Sequence, residues 1–313
     1  MARFRVVVTD SAVPDVTVEH EVLAGIGAEL TVAHGSREDV LEAARDADAL
    51  LNTYLPLDAA AIRRLTRCRI IARYGVGVDN VDLDAARKAG IVVTNVPDYC
   101  VEEVATHTLA LILTLVRKLP QGDEMVRAGR WGAHSLGPVA RFSELTVGLV
   151  GYGRIARRLA AMVRAMGAEV LVHDPYVGSP ESGVRLVELD QLLATADVVS
   201  LHCPLTAATH GLLDAARLRT MKPGAVLVNA SRGPLVVEHD LFEALRRGVL
   251  AAAALDVFER EPPDAELLAE VPNLLVTPHA AFYSETAVRE SRQKAATQVV
   301  RVLTGQPPDY PVT

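Results

Sequence analysis

Apolar residues follow two rhythms along this chain. Short runs of aliphatic residues alternate with longer stretches in which apolar positions recur every three or four residues, the pattern of strands alternating with amphipathic helices. The runs predict strands over 4–9, 30–33, 49–52, 69–73 and 91–95, then over 146–150, 169–173, 198–202, 225–229, 251–255 and 274–277. Helices are predicted between them. One covers 36–47, with Ser36 as N-cap and Asp39 completing a capping box, and others cover 83–89, closed by Gly90, 154–166, stopped by Gly167, 189–194 and 240–247. Such alternation predicts an α/β fold of parallel sheets covered by helices.

Residues 101–117 are apolar on more than one helical face, so a helix there is expected to lie between layers or domains. Pro120 and Gly122 interrupt it, a second helix runs to 128, and the single tryptophan, Trp131, comes next in a Gly-rich loop suited to a contact. The last predicted helix, 284–303, is capped by Ser284 and stopped by Gly305. It lies beyond the sixth strand of the second set and has no place left there, so the chain is expected to cross back. The expected domains are a discontinuous flavodoxin-like substrate domain, 1–99 with 284–313, and a Rossmann-type doubly wound domain, 100–283.

The strand at 146–150 runs into Gly151-x-Gly153-x-x-Ala156, which opens a helix, and a second strand then delivers Asp174. This is a dinucleotide fingerprint in its proper context. Gly151 allows the tight turn and Gly153 lets the backbone approach a pyrophosphate. Ala156 lets helix and strand pack closely, and Arg154 and Ile155 open the helix whose N-terminus receives the phosphates. The Asp174 carboxylate suits an adenosine ribose and repels a 2′-phosphate, with no cation in Pro175-Tyr176-Val177 to offset it. NAD is therefore the expected cofactor.

A chain of 313 residues is long enough for two domains, and half of its residues are apolar. A net charge of −7 without a basic run argues against nucleic acid and against a membrane surface as partners. The longest apolar stretch, 108–116, is too short to span a bilayer. The chain opens on a strand and shows no signal-peptide pattern, so the cytoplasm is the expected location. Cys68, Cys100 and Cys203 are too scattered for a zinc site and odd in number, so neither metal nor disulfide framework is expected.

Ligands of doubly wound sheets bind beyond the carboxyl ends of the strands, so chemistry is sought just after each strand of the second set. There the chain reads His202-Cys203-Pro204, Ala230-Ser231-Arg232-Gly233, Asp256 leading to Glu261, and Pro278-His279-Ala280. Reduction of a carbonyl by NADH needs an acid for the oxygen and a cation for the substrate's anionic group. His279 suits the acid, Glu261 is placed to pair with it and fix its tautomer, and Arg232 can clamp a carboxylate through its planar fork. In the first set, Gly75-Val76-Gly77 comes directly after a strand and can aim backbone N–H groups at a small anion; the same residues also suit a plain turn with Asp82 as helix N-cap.

Motifs across nearly the whole chain resemble the D-isomer-specific 2-hydroxyacid dehydrogenase family. They are residues 73–82, Asn95-Val96-Pro97, the fingerprint with Asp174, 202–206 with Thr209, Met221-Lys222-Pro223-Gly224, 229–233, 254–258 with Glu261, and Thr277-Pro278-His279-Ala280. The resemblance implies that Arg232, Glu261 and His279 are the catalytic set and that Val76 and Gly77 hold the substrate carboxylate. It implies that Thr209, Ala230 and Asp256 line the cofactor, Asp256 near the nicotinamide amide, together with His202, Cys203, Pro204 and Ser231. It also implies a homodimer, with Trp131 reaching the partner. Residues 277–285 are similar to the C-terminal-binding-protein branch, which has tryptophan where this chain has Phe282. Cys100 and Thr106 depart from the residues common in the family. With Tyr54, Leu55 and Tyr99, Phe282 is expected to line an apolar side-chain pocket.

The expected activity is NAD-dependent reduction of 2-keto acids to D-2-hydroxy acids. The chain's end at Thr313 leads us to expect no appended amino-acid-binding domain, which leaves a short phosphoglycerate dehydrogenase as one alternative. An NAD(H)-sensing corepressor-like interaction protein is the other.

Overall fold

Five runs of aliphatic residues form the first sheet: β1 (Phe4–Val8), β2 (Ala28–Val32), β3 (Ala49–Asn52), β4 (Ile70–Arg73) and β5 (Val92–Thr94). They pair in the order β2-β1-β3-β4-β5, every pairing parallel. β3 and β4 are buried at every position, as strands covered on both faces must be. The computed structural model describes residues 4–11 and 15–313. By internal contacts the chain divides into Met1–Cys100 with Ser284–Thr313, and Val101–Tyr283.

Local chemistry sets the helix starts of the first unit. Ahead of the helix Arg37–Ala44 the capping box is complete: the Asp39 N–H donates to Ser36 Oγ and the Ser36 N–H donates to the Asp39 carboxylate at 2.9 Å. Asp58 and Asp82 cap Ala59–Arg64 and Leu83–Lys88 in the same way. The helix Glu285–Leu303 belongs to this unit, and its Arg292 forks onto Glu19, Nε to Oε1 at 2.8 Å and Nη2 to Oε2 at 2.6 Å. Glu19 is fully buried and also accepts from the Tyr74 hydroxyl at 2.8 Å. A buried pair so completely bonded is tolerated, whereas removing either partner would strand a charge at a cost of about 3–5 kcal/mol.

The second unit holds β6 (Thr146–Val150), β7 (Glu169–His173), β8 (Arg185–Leu186), β9 (Val198–Leu201), β10 (Val226–Asn229), β11 (Ala252–Leu255) and β12 (Leu274–Val276). The sheet is parallel, ordered β12-β11-β10-β9-β6-β7-β8. It has seven strands where the hydrophobic pattern predicted six. The extra one, β8, is two exposed residues paired with Leu171 and Val172, too short to show a period. His202 and Thr277, predicted inside strands, lie just past them, so both stand in the loops at the carboxyl edge.

Two apolar layers cover this sheet. On one side Leu111, Ile112 and Leu115 of the helix Val101–Val116 join Leu159 and Val163 of Arg154–Ala165 over Leu149 and Val228. On the other, Leu192, Leu193, Phe242 and Leu245 pack with Val199 and Leu227. Each such side chain contributes about 1.5–3 kcal/mol by leaving water, so the layers hold the strand ends rigidly while their loops stay available. Among the described residues no helix is long and apolar enough to cross a membrane.

Candidate active site

In the second sheet the connections reverse direction at β6, and the crevice at such a switch point is where ligands enter. Gly151 makes the turn there with φ +93°, and a Cβ at this position would stand 2.6 Å from the Cys203 nitrogen and 2.7 Å from the His202 carbonyl carbon. Only glycine meets both demands. Around Gly153 a Cβ would meet nothing within 4 Å, so the backbone is open to a ligand on that side. Gly153 is the N-cap of Arg154–Ala165 and supplies no side chain, which leaves the first-turn amides at Arg154 and Ile155 without an intrahelical acceptor. Beneath them Ala156 is fully buried. At the end of β7 the Asp174 carboxylate accepts from the Tyr152 N–H at 2.8 Å and the Tyr176 N–H at 2.9 Å. An open glycine, free helix amides and a fixed carboxylate one strand away fit the pyrophosphate and ribose of a dinucleotide.

The loop after β9 forms the floor of this turn. Thr209 Oγ1 accepts from the Thr206 N–H at 2.8 Å and donates to the Pro204 carbonyl at 2.7 Å, folding the loop on itself. Burial holds the His202 imidazole down at about 4, so it is neutral at physiological pH, with Ser200 Oγ 2.9 Å from Nε2. Burial likewise pushes the Cys203 thiol up to about 11, which makes it an inert packing residue.

β10 and β11 deliver the charged groups. Ser231 Oγ donates to the Cys203 carbonyl at 2.8 Å, and Asn229 Nδ2 donates to the Arg232 carbonyl at 2.8 Å, so the Ala230–Arg232 loop is tied at both ends. Gly233 lies flat on the next loop: a Cβ there would fall 1.9 Å from the Phe258 carbonyl carbon. That contact sets Arg232 beside the segment bearing Glu261. Burial raises the Glu261 carboxyl, but the His279 hydrogen bond and charge, the Phe258 N–H and the Arg232 charge outweigh it and hold the group below its ordinary value.

His279 meets Glu261 directly, Nδ1 to Oε2 at 2.7 Å. Its backbone is left-handed, φ +52°, a conformation that needs outside support in a residue with a Cβ. Asp256 supplies it. Fully buried, it accepts from Thr277 Oγ1 at 2.6 Å, the Ala280 N–H at 2.8 Å and the Ala281 N–H at 2.9 Å, while its carbonyl accepts from the His279 N–H at 2.8 Å. Its carboxylate is thus turned onto the His279 loop. Phe282 sets its ring edge to the His279 ring, centroids 6.3 Å apart. Sequence reasoning missed His107, whose Nε2 lies 3.2 Å from Thr277 Oγ1. The available signal was one imidazole in a helix with apolar positions on more than one face.

In the first unit, the carbonyls of the glycine turn are all held. The Gly75 carbonyl accepts from the Val96 N–H at 3.0 Å, that of Val76 from Asn95 Nδ2 at 2.7 Å, and that of Gly77 from Arg73 Nε at 3.0 Å. In a trans peptide the next N–H points opposite to the carbonyl. The N–H groups of Val76, Gly77 and Val78 therefore face away from their supports. Asp82 is also a helix cap, as the plain-turn reading had it, accepting from the Ala85 N–H at 2.9 Å.

Known proteins resemble this chain in sequence and fold. The family model for the NAD binding domain of D-isomer specific 2-hydroxyacid dehydrogenases matches residues 109–281. A D-3-phosphoglycerate dehydrogenase of Mycobacterium leprae is 40% identical over 267 residues, covering 84% of this chain and 50% of the relative. A glyoxylate reductase of Korarchaeum cryptofilum is 37% identical over 278 residues, covering 86% and 82%. The crystal structure of an Aquifex aeolicus D-lactate dehydrogenase with NAD and lactic acid superposes with a TM-score of 0.89 at 29% identity, covering 98% of each chain. The chain spans about half the length of the phosphoglycerate dehydrogenases it matches. The family model covers more than half of this chain and meets the strand, turn and helix of the fingerprint in one stretch, so the chain belongs to the D-isomer specific 2-hydroxyacid dehydrogenase family.

Proposed function

We propose that this protein is an NAD-dependent reductase of 2-keto acids, interconverting them with D-2-hydroxy acids. The observation that carries the reading is the His279–Glu261 contact at 2.7 Å on a loop at the carboxyl edge of the sheet, with Arg232 charged nearby. Gly151, Gly153, Arg154, Ile155 and Asp174 would hold NADH, which would supply a hydride for C2 of the substrate. Glu261 takes Nδ1 of His279 as its partner, which leaves Nε2 as the nitrogen that hands a proton to the keto oxygen. Arg232 pairs with the substrate carboxylate and polarises the carbonyl. Residues 100–283 form the cofactor domain, and 1–99 with 284–313 the substrate domain, where the outward amides of Val76 and Gly77 suit a carboxylate.

Two further parts of the reading rest on surface and composition. Trp131 is 87% exposed, and Leu119 and Val126 are exposed on the helix before it, which supports a homodimer built over this segment. The three cysteines are free and buried, in keeping with the cytoplasm. The mycobacterial relative favours a second reading, a phosphoglycerate dehydrogenase.

His279→Ala tests the proposal. Turnover of 2-keto acids should fall by about 10³-fold while NADH binding, measured by its fluorescence, holds. Turnover equal to the parent's would remove His279 from the mechanism.

A further inference from the structure

The first sheet has a switch point of its own. In the order β2-β1-β3-β4-β5 the connections diverge between β1 and β3, and the crevice there lies beyond the carboxyl ends of those strands. A carboxylate of the chain itself already occupies the backbone amides at this place. Asp10, just past β1, reaches across to the loop after β3: Oδ1 accepts from the Thr53 N–H at 3.1 Å, and Oδ2 accepts from the N–H groups of Tyr54 and, at 3.2 Å, Leu55. Thr9 Oγ1 and Asn52 Nδ2 add donors to Oδ1 at 2.7 and 3.4 Å. Three successive amides are the kind of nest that would otherwise receive an anionic ligand.

The surrounding charge has the same sign. The segments directly after β1, β3, β4 and β5, residues 9–16, 53–58, 74–82 and 95–100, contain six aspartates and no lysine, arginine or histidine. Among the described residues, the cations from elsewhere in the unit that bond to these segments also have partners there. Arg73, 7% exposed, bonds Gly77 and Asn52; Arg37 bonds Asp58; Arg292 bonds Glu19 and Asp15; Lys294 bonds Asp98 and Glu290. What this edge does present is apolar surface, with Tyr54 52% and Val76 36% exposed. A second anionic group on the substrate would meet the Asp10 carboxylate on an edge where the described cations of this unit are engaged with other partners.

Building on the reading of this unit as the substrate domain, we infer that the substrate is a 2-keto acid whose side chain carries no second anionic group, and that Asp10 enforces this. A phosphorylated or dicarboxylic keto acid is then a poor substrate, which sets this chain apart from the activity named for its mycobacterial relative.

Steady-state kinetics with NADH on the intact protein decide it. The informative pair is 4-methyl-2-oxopentanoate and oxaloacetate, near-isosteres that differ by a branched alkyl end against a carboxylate, with 3-phosphohydroxypyruvate as the phosphorylated case. The neutral acid should exceed both anionic ones in kcat/KM by about a hundredfold or more. Tyr54→Arg places a cation on the exposed loop and should narrow the gap about tenfold, chiefly through the KM for oxaloacetate. Asp10→Asn, which removes charge at nearly constant shape, should narrow it in the same sense. Wild-type turnover of oxaloacetate or 3-phosphohydroxypyruvate within about threefold of the neutral acid would overturn the inference and leave the reductase reading intact. Tight NADH binding with no turnover of any 2-keto acid would instead overturn the reductase reading itself.

Discussion

Each unit of the chain ends a strand in a Gly-x-Gly turn, and the two turns present their amides by different means. After β6, Gly151 is left-handed and wedged against Cys203, Gly153 is open, and a helix of twelve residues begins at once. After β4, Gly75 would have only Arg73 Nη2, at 3.7 Å, near a Cβ, and no helix begins until Leu83. The β6 turn gathers its amides into a helix N-terminus, where the dipole favours a phosphate. The β4 turn has no dipole to use and aims its amides by gripping the carbonyls behind them, with Arg73 and Asn95 as the grips. The same sequence pattern thus presents its amides in two ways, and the presence or absence of a helix directly after the second glycine decides which.

The largest test of this contrast is a matched pair of substitutions. Gly151→Ala should destabilise the protein by about 3 kcal/mol or more, from left-handed strain together with the clash at Cys203, and should abolish NADH binding. Gly75→Ala should change stability by no more than about 1 kcal/mol. Thermal melts and NADH fluorescence read both, and equal losses would end the distinction between the turns.

The floor of the Gly151 turn offers the next test. His202 has an ordinary value of 6.5 and is held at about 4 by burial, so on acidification the unfolded chain takes up the proton first. Stability is complete above about 6.5 and is lost as pH falls towards 4, by up to about 3 kcal/mol. Between pH ~7 and ~5 the wild type should lose about 2 kcal/mol more than His202→Asn in urea unfolding. Identical losses would show that this imidazole is not kept dry.

The smallest effect belongs to the β4 turn. Arg73→Lys cannot reach both the Gly77 carbonyl and Asn52 Oδ1, now bonded at 3.0 and 3.3 Å. We expect KM for the keto acid to rise about tenfold with a smaller change in kcat, and NADH binding to stay as it was. An unchanged KM would separate the grip on Gly77 from substrate binding.

Much of the molecule was legible because its causes are local. The Ser36–Asp39 capping box, the Gly90 and Gly305 stops and the strand–glycine–helix fingerprint with Asp174 each depend on residues a few positions apart, or on one βαβ unit. Glu261 and His279 could be named from residue type and from their place after strands. β8 escaped because two residues carry no period, and His107 because its partner Thr277 is 170 residues away. The part played by Asp10 was equally hidden, since the amides it fills lie 43–45 residues further on.

By itself, then, the sequence determined the alternation of strands and helices, the nucleotide turn and the types of group available for chemistry, because periodicity, capping and backbone freedom are properties of short segments. Tertiary structure alone decided which of those groups meet. It turned Asp256 onto the His279 loop, set Glu261 at 2.7 Å from the imidazole and seated Asp10 in the amides of Thr53, Tyr54 and Leu55. Those contacts join loops from neighbouring strands of a sheet, and strand order is a long-range result of packing that no local pattern encodes.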